Sequence, residues 1–324
     1  MRDLRVRTNF ASTFNGQKLA RKYSEPASPK RKSPSNRIFW LQMSPALVIL
    51  LGMTIAPAIF LISKSFTNSS LLDSNSKFLG LKNYQLVLTD ASLLHSAKVT
   101  AIFVVLVVLF EMLTGLFFAQ FLYKKTRANS IAGALLIIPF AVAPAVAAMI
   151  FRELFNPNYG WVNYLMDKVG LPGNIDWLGN SITAWMALIF LDIWQWTPFV
   201  TLILIAGMSA LPSEPLEAAA VDGANAWQIF RHISVRLLAP FIGIALVLRT
   251  IQAFKTFDSF LILTGGGPGD STSPINLEIY RVALQSFRVG YASSMAILLL
   301  IITSILTPAL LRILSRATQT EVDE

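Results

Sequence analysis

The sequence has no cysteine and only two histidines, His95 and His232. The first absence excludes disulfides, thiolate-held metals and thiol nucleophiles. The second leaves no imidazole cluster, and neither histidine has partners at metal-ligand spacing. No Ser-His-Asp set or carboxylate pair stands out as catalytic. No G-x-x-x-x-G-K-[ST] phosphate loop occurs either, so the chain lacks the usual cradle for ATP. Charge is scarce as well: 14% of the 324 residues are Asp, Glu, Lys or Arg, against about 25% in an average soluble domain.

What the chain has instead is apolar length. It is 54% hydrophobic with a mean hydropathy of +0.57. Six runs approach the roughly 20 residues a membrane span requires: about 38–63, 99–122, 131–151, 182–211, 237–263 and 292–314. Helices satisfy their own backbone groups in lipid, so the expected fold is an all-α polytopic membrane protein with six transmembrane helices. Ala56-Pro57-Ala58 has the A-x-A form of a cleavage site. The long basic region before it, the span-length run and the proline between the alanines favour a retained span. Pro139 and Pro144 in the third run and Pro198 in the fourth predict kinks, which either serve packing alone or free carbonyls toward a cavity. No internal repeat is visible.

The net charge of +9 is local rather than a nucleic-acid footprint. Ten Lys and Arg against Asp3 and Glu25 precede residue 40, so nearly all the excess lies in one tail. Residues 1–37 are also rich in Ser, Pro and Asn, a composition too polar to bury a core, and read as a disordered tail, either solvated with no partner or in contact with anionic lipid headgroups. Basic residues near span ends mark the cytoplasmic side. The tail, Lys124, Lys125 and Arg127, Arg231 and Arg236, then Arg312 and Arg316 fall at alternate loops, placing both termini and the segment at about 212–240 in the cytoplasm. Residues 38–315 form the membrane domain, and 316–324 are a short cytoplasmic tail.

The extracytoplasmic segments carry less. FLGLKNYQLVLTD reads as a short surface helix; NPNYGWVNYLMDKVGLPGNIDWLGN reads as turn, helix over 162–169, turn, with Trp161 and Trp177 suited to the interface. Thr264-Gly265-Gly266-Gly267-Pro268 is a flexible turn rather than a nucleotide loop, since no strand precedes it.

Among intramembrane ionisable groups, Glu111, Asp192, Arg249, Lys255 and Asp258 would each cost about 2.5–3.5 kcal/mol facing lipid, so they face the bundle interior or pair. Lys255 and Asp258, three apart, can satisfy each other. The functional alternative is a polar cavity for a sugar. Asp192, Trp194, Gln195, Trp196 and Thr197 combine hydrogen-bonding groups with flat aromatic faces suited to a pyranose. Tryptophan in a span is also an interfacial anchor, and both readings stay open.

Between the fourth and fifth runs lies EAAAVDGANAWQIFRHI, too polar to be a span. Ser213 is a candidate N-cap and Pro215 fits the first turn. Glu214 and Glu217 sit at the positive helix end. Ala218, Ala219 and Ala220 give a thin, strongly helical surface. Gly223 permits a left-handed turn. Ala226, Phe230, Ile233 and Leu237 then recur on one apolar face. Pattern alone leaves two uses: a hairpin packing on its own bundle, or a dock for another protein.

This stretch resembles the EAA loop of binding-protein-dependent ABC importer permeases. Glu217-Ala218-Ala219, Asp222-Gly223-Ala224, Phe230, Ile233 and Pro240 match in register, while Val235-Arg236 replaces the usual Leu-Pro. LFNPNYGWVNYLM, IWQWTPFV and FDSFLILTGGGPGDST with IYRVALQSFRVGYASSMA are similar to the carbohydrate-uptake, maltose- and trehalose-type subfamily. The resemblance covers about residues 38–315. It implies the ABC importer permease fold in a bacterial inner membrane, with a coupling helix around Glu217 to Val221 inserted into an ATPase cleft. The glycine-rich loop would face the solute-binding protein and the translocation path. Implied partners are a second permease of related fold, two ATPase subunits that bind ATP and Mg, an external solute-binding protein and a sugar-like solute. The chain itself would be a transport subunit, not an enzyme, and would hold no cofactor. The competing class is an ion-coupled secondary transporter using the intramembrane Asp, Glu and Lys as a relay.

Overall fold

The structure, a computed structural model, describes residues 36–73, 75–124 and 126–319. The basic tail therefore lies almost wholly outside the described residues, as do the last five residues. The chain divides into two compact units, Met1–Pro57 and Ala58–Glu324. The described part of the first is the opening of helix α1, Asn36–Ser65, which contains Pro45 and Pro57. Ala56-Pro57-Ala58 lies within that unbroken helix.

The described residues of the second unit contain no strand; one isolated antiparallel bridge joins Thr67 to Phe78. A short helix, α2 (Lys82–Thr89), falls where the sequence placed it. Asn83 anchors it by donating to the Ser65 and Thr67 carbonyls, both at 2.8 Å. Asp90 then caps α3 (Ala91–Leu122) by accepting from Ser92 N at 3.0 Å. Its other oxygen accepts from Tyr291 Oη at 2.6 Å.

The third apolar run is sharply bent rather than gently kinked. It is α4 (Arg127–Ala141) and α5 (Pro144–Leu154), meeting at 94°. Val142 and Ala143 are both extended, with ψ of 133° and 135°. Ala143 precedes Pro144, whose ring disfavours a helical predecessor and whose nitrogen has no proton to donate. The Val142 carbonyl is not left open to a cavity: Gln195 Nε2 donates to it at 2.8 Å.

Helix α6 (Trp161–Lys168) ends at Gly170, whose φ is +79°. Trp161 is exposed, whereas Trp177 donates to Asn163 at 2.8 Å and is half-buried. Asn180 caps α7 (Ser181–Ser209), accepting from Ile182 N at 2.9 Å. Helices α8 (Glu214–Val221) and α9 (Ala226–Leu237) lead to α10 (Ala239–Phe254), with a 66° bend between the last two. Thus the fifth run also breaks, and α10 stops short of the expected residue 263. Asn276 Nδ2 takes the Phe254 carbonyl at 2.8 Å, and a π-helical turn forms at Phe260–Thr264. Helix α11 (Ile275–Tyr280) and α12 (Val289–Gln319) complete the described chain. Among the described residues four helices are long and apolar enough to cross a membrane, or up to six if each bent pair is one span.

The core centres on α3 and α7. Phe103 and Val107 pack with Leu188 and Leu191, and α5 adds Ala147 and Phe151. A second cluster joins Ala119, Val200, Leu204, Leu238 and Ala245. Close approach depends on small residues, as membrane interfaces generally do: a Cβ on Gly115 would lie 2.7 Å from Val200 Cγ1.

Candidate functional site

The loop at 212–240 forms two short helices joined by a tight turn. Pro215 lies in the first turn of α8, and Ser213 stands at the N-cap without a side-chain capping bond. Its backbone is already helical (φ −75°, ψ −28°), a conformation that does not aim Oγ at the free amides. Gly223 has φ +84°. There Asp222 N donates to Ala218 O, Gly223 N to Ala220 O and Ala224 N to Ala219 O, closing the helix end. Asn225 and Gln228 cap α9 reciprocally at 2.9 and 2.8 Å. The spacing Asn-x-x-Gln was the available signal for that box.

Leu216 and Ala219 are half-buried toward the bundle, while Glu217, Ala218, Ala220, Val221, Asp222 and Gly223 are exposed and Ala224 is half-buried. Val221 is 87% and Trp227 64% exposed. A hollow of about 400 Å³ lies between Leu216, Ile229 and Phe230 and the ends of α3 and α7. The apolar face of α9 follows the expected register only as far as Ile233. A π-helical turn over Phe230–Ser234 inserts one extra residue, so the fully buried side chain is Leu238, while Leu237 is 36% exposed.

Within the bundle, the candidate cargo residues separate into two groups. Asp192, Gln195 and Thr197 are buried. Asp192 pairs with Arg249, Gln195 holds the α4–α5 break, and Thr197 shares a 3.0 Å hydrogen bond with Thr114. Trp194 packs on Phe151, ring centroids 5.1 Å apart. Trp196, Lys255 and Asp258 instead line one hollow of about 210 Å³, together with Pro144, Gln252 and Thr256. Lys255 and Asp258 do not pair: no ion pair or hydrogen bond joins them among the described residues.

The intramembrane charges that do pair are far apart in sequence. Arg249 of α10 is fully buried and forks onto Glu111 of α3 through Nε and Nη2, the second contact at 2.9 Å. The same Nη2 reaches Asp192 of α7. Arg249 Nη1 and Asp192 Oδ1 are buried without a hydrogen-bond partner among the described residues. Each of the three was recognisable as an intramembrane charge, but no local spacing could disclose their pairing.

The glycine-rich loop is tied to its surroundings by hydrogen bonds. Thr264 Oγ1 accepts from Gly266 N and Thr272 Oγ1, and Thr272 N donates to Gly266 O. Arg281 donates to Gly265 O at 2.6 Å and to Asp270 at 2.8 Å. Gly267 N donates to Thr264 O, and Pro268 O accepts from Ser271 N.

Comparison with known proteins places this arrangement. Residues 111–320 match the family described as "Binding-protein-dependent transport system inner membrane component". The trehalose/maltose transport system permease protein MalF of Thermococcus litoralis is 33% identical over 275 residues, covering 85% of this chain and 93% of the relative. The sn-glycerol-3-phosphate transport system permease protein UgpA of Agrobacterium fabrum is 32% identical over 277 residues, covering 85% and 93%. A bacterial alginate ABC transporter, crystallised in complex with an alginate pentasaccharide-bound periplasmic protein, contains a chain of the same fold. Its TM-score is 0.77 at 19% identity, over 87% of this chain and 96% of that one. By the family match and the full-length relatives alike, the chain belongs to the binding-protein-dependent transport system inner membrane components.

Proposed function

We propose that this chain is the membrane permease of an ATP-driven importer that carries a sugar or sugar-like solute across a bacterial inner membrane. Its six spans, counting each bent pair as one, leave both termini and the 212–240 loop in the cytoplasm. A second permease completes the pathway, two ATPase subunits supply ATP hydrolysis and hold Mg, and an extracytoplasmic binding protein delivers the solute. Closure of the ATPases on ATP moves the docked α8 helices, and the bundle alternates between inward and outward access.

The observation that carries this reading is α8 itself. It is a surface helix with an alanine face, ended by a glycine turn and flanked by exposed Val221 and Trp227, and apolar surface of that kind marks a partner. Glu217 offers a carboxylate to a basic group of the ATPase. The saccharide class rests on the relatives' transport names together with Trp196, which offers an aromatic face beside the unpaired Lys255 and Asp258 and the amide of Gln252. An ion relay finds less support, because Glu111 and Asp192 are already engaged by Arg249.

The test reconstitutes the complex in liposomes with its binding protein and supplies trehalose, maltose and glycerol 3-phosphate in turn. One of them should accumulate with ATP and stop with hydrolysis blocked, and Trp196→Ala should lower its uptake with assembly intact. Uptake that persists without ATP but collapses with a proton uncoupler would overturn the proposal. Reporters near Ser33 and after Glu324 should both read cytoplasmic.

A further inference from the structure

Arg249 has no exposed surface, so it cannot touch a solute. Its guanidinium nevertheless lies against the hollow's aromatic wall, with Cζ 5.0 Å from the centre of the Trp196 ring. Two carboxylates on two other helices fix that guanidinium in place, and a planar fork held on Nε and Nη2 has little freedom to turn. Two further rings meet the indole edge-on, Phe140 at 5.5 Å and Phe199 at 6.2 Å. A desolvated cation over tryptophan is the strongest form of cation–π contact. Gln252, one turn after Arg249 on α10, lines the same hollow.

We propose that Arg249 is a positioning residue for the solute pathway: clamped by Glu111 and Asp192, it holds the Trp196 ring at the angle the solute meets. The inference rests on the saccharide reading of the hollow. A lysine at 249 keeps the charge but loses the fork and the flat stacking surface, so the indole is released while the bundle retains an ion pair.

The experiment is a double-mutant cycle in the reconstituted complex, read as solute moved per ATP hydrolysed. The probe is whichever of trehalose, maltose and glycerol 3-phosphate the wild type takes up fastest. Arg249→Lys is expected to lower that ratio about tenfold, inside the range of one cation–π contact, and Trp196→Ala, which removes the ring that Arg249 positions, to a similar extent. The double variant should fall no further than Trp196→Ala, because residues acting through one another are not additive. A hundredfold fall in the double variant would overturn the proposal. An unchanged ratio in Arg249→Lys, with transport and hydrolysis both falling in step with the amount of complex, would assign Arg249 to holding the bundle alone. An unchanged ratio in Trp196→Ala, or uptake of none of the three probes, would instead remove the saccharide reading beneath it. Should Arg249→Lys not assemble, Asp192→Asn takes its place in the cycle, and failure of both to assemble counts against the proposal.

Discussion

Replacing Gly223 separates two reasons a glycine can be needed at the end of α8. Its φ is +84°, yet nothing lies within 4 Å of where a Cβ would sit, so within this chain the penalty is one of backbone conformation alone. A side chain in the left-handed region costs about 1–2 kcal/mol, and a β-branched one more. Asparagine tolerates the region best after glycine. With about 1.4 kcal/mol per tenfold, Gly223→Ala should cut the population holding the turn by roughly 5- to 30-fold, if the loop must hold it unaided. Gly223→Val should lose more, and Gly223→Asn should stay close to wild type. The three variants, purified with their partners, are compared for retained ATPase subunit, solute-stimulated hydrolysis and uptake. All should insert normally, since no span is altered. If Asn and Val prove equally damaging, the glycine protects a close approach by the partner and the backbone argument fails. If none of the three changes any readout, the loop couples nothing.

Three further outcomes follow from the packing. Arg249→Met leaves two buried carboxylates unpaired and should destabilise the assembled bundle by about 3–5 kcal/mol. Replacing Glu111 and Asp192 with apolar residues as well should restore much of the lost thermal stability in detergent; no recovery would refute the ledger of charges. Gly266→Ala combines a φ of +88° with a Cβ placed 2.6 Å from Arg281 Nη2, so it should disrupt the loop and reduce uptake with ATPase retention unchanged in pull-down. The Tyr291 hydroxyl bonded to Asp90, ahead of the opposing effect of its burial, holds that carboxyl below its ordinary value of 3.8. A lowered carboxyl stabilises the fold above that ordinary value and loses the contribution as pH falls through the folded one. The stability advantage of wild type over Tyr291→Phe should therefore be full near neutrality and shrink in acid below about pH 4. A gap that widens on acidification would contradict the assignment.

Local chemistry carried the reading of the sequence furthest. Gly223, Pro215, the short helix within FLGLKNYQLVLTD and the one expected over 162–169 follow from turn residues and periodicity, and the helices lie at Lys82–Thr89 and Trp161–Lys168. What escaped was anything set by a distant partner. The sequence showed Lys255 and Asp258 at a pairing distance along one helix, but α10 ends at Phe254, where Asn276 takes the carbonyl, and the helical spacing no longer applies. Arg249, Glu111 and Asp192 are expected to face the interior or pair, but their partners could not be named because three different helices supply them. The Leu237 assignment failed by a single residue, since a π-helical turn leaves no mark in a 3.6-residue pattern. The glycine-rich loop looked loose because its ties run to Thr272 and Arg281. Of the cargo residues grouped by composition, Trp196 lines the hollow shared with Lys255 and Asp258, while Asp192 meets Arg249, Trp194 meets Phe151, Gln195 meets the Val142 carbonyl and Thr197 meets Thr114.

The three-helix charge cluster also has an order in time. Glu111 precedes Asp192 along the chain and is 138 residues ahead of Arg249. During synthesis α3 therefore enters the bilayer with a lone acid group, at a cost of about 2.5–3.5 kcal/mol if it lies at the centre of the helix. Its otherwise continuous apolar length can bear that cost. Helix α7 then brings a second acid, which adds repulsion rather than relief. Only the arrival of α10 supplies the cation, so the early helices stay poorly matched to one another until the fifth hydrophobic segment is in place. A chain ending before residue 249 would hold both acids without their cation, and burial would favour their protonated forms until α10 arrives.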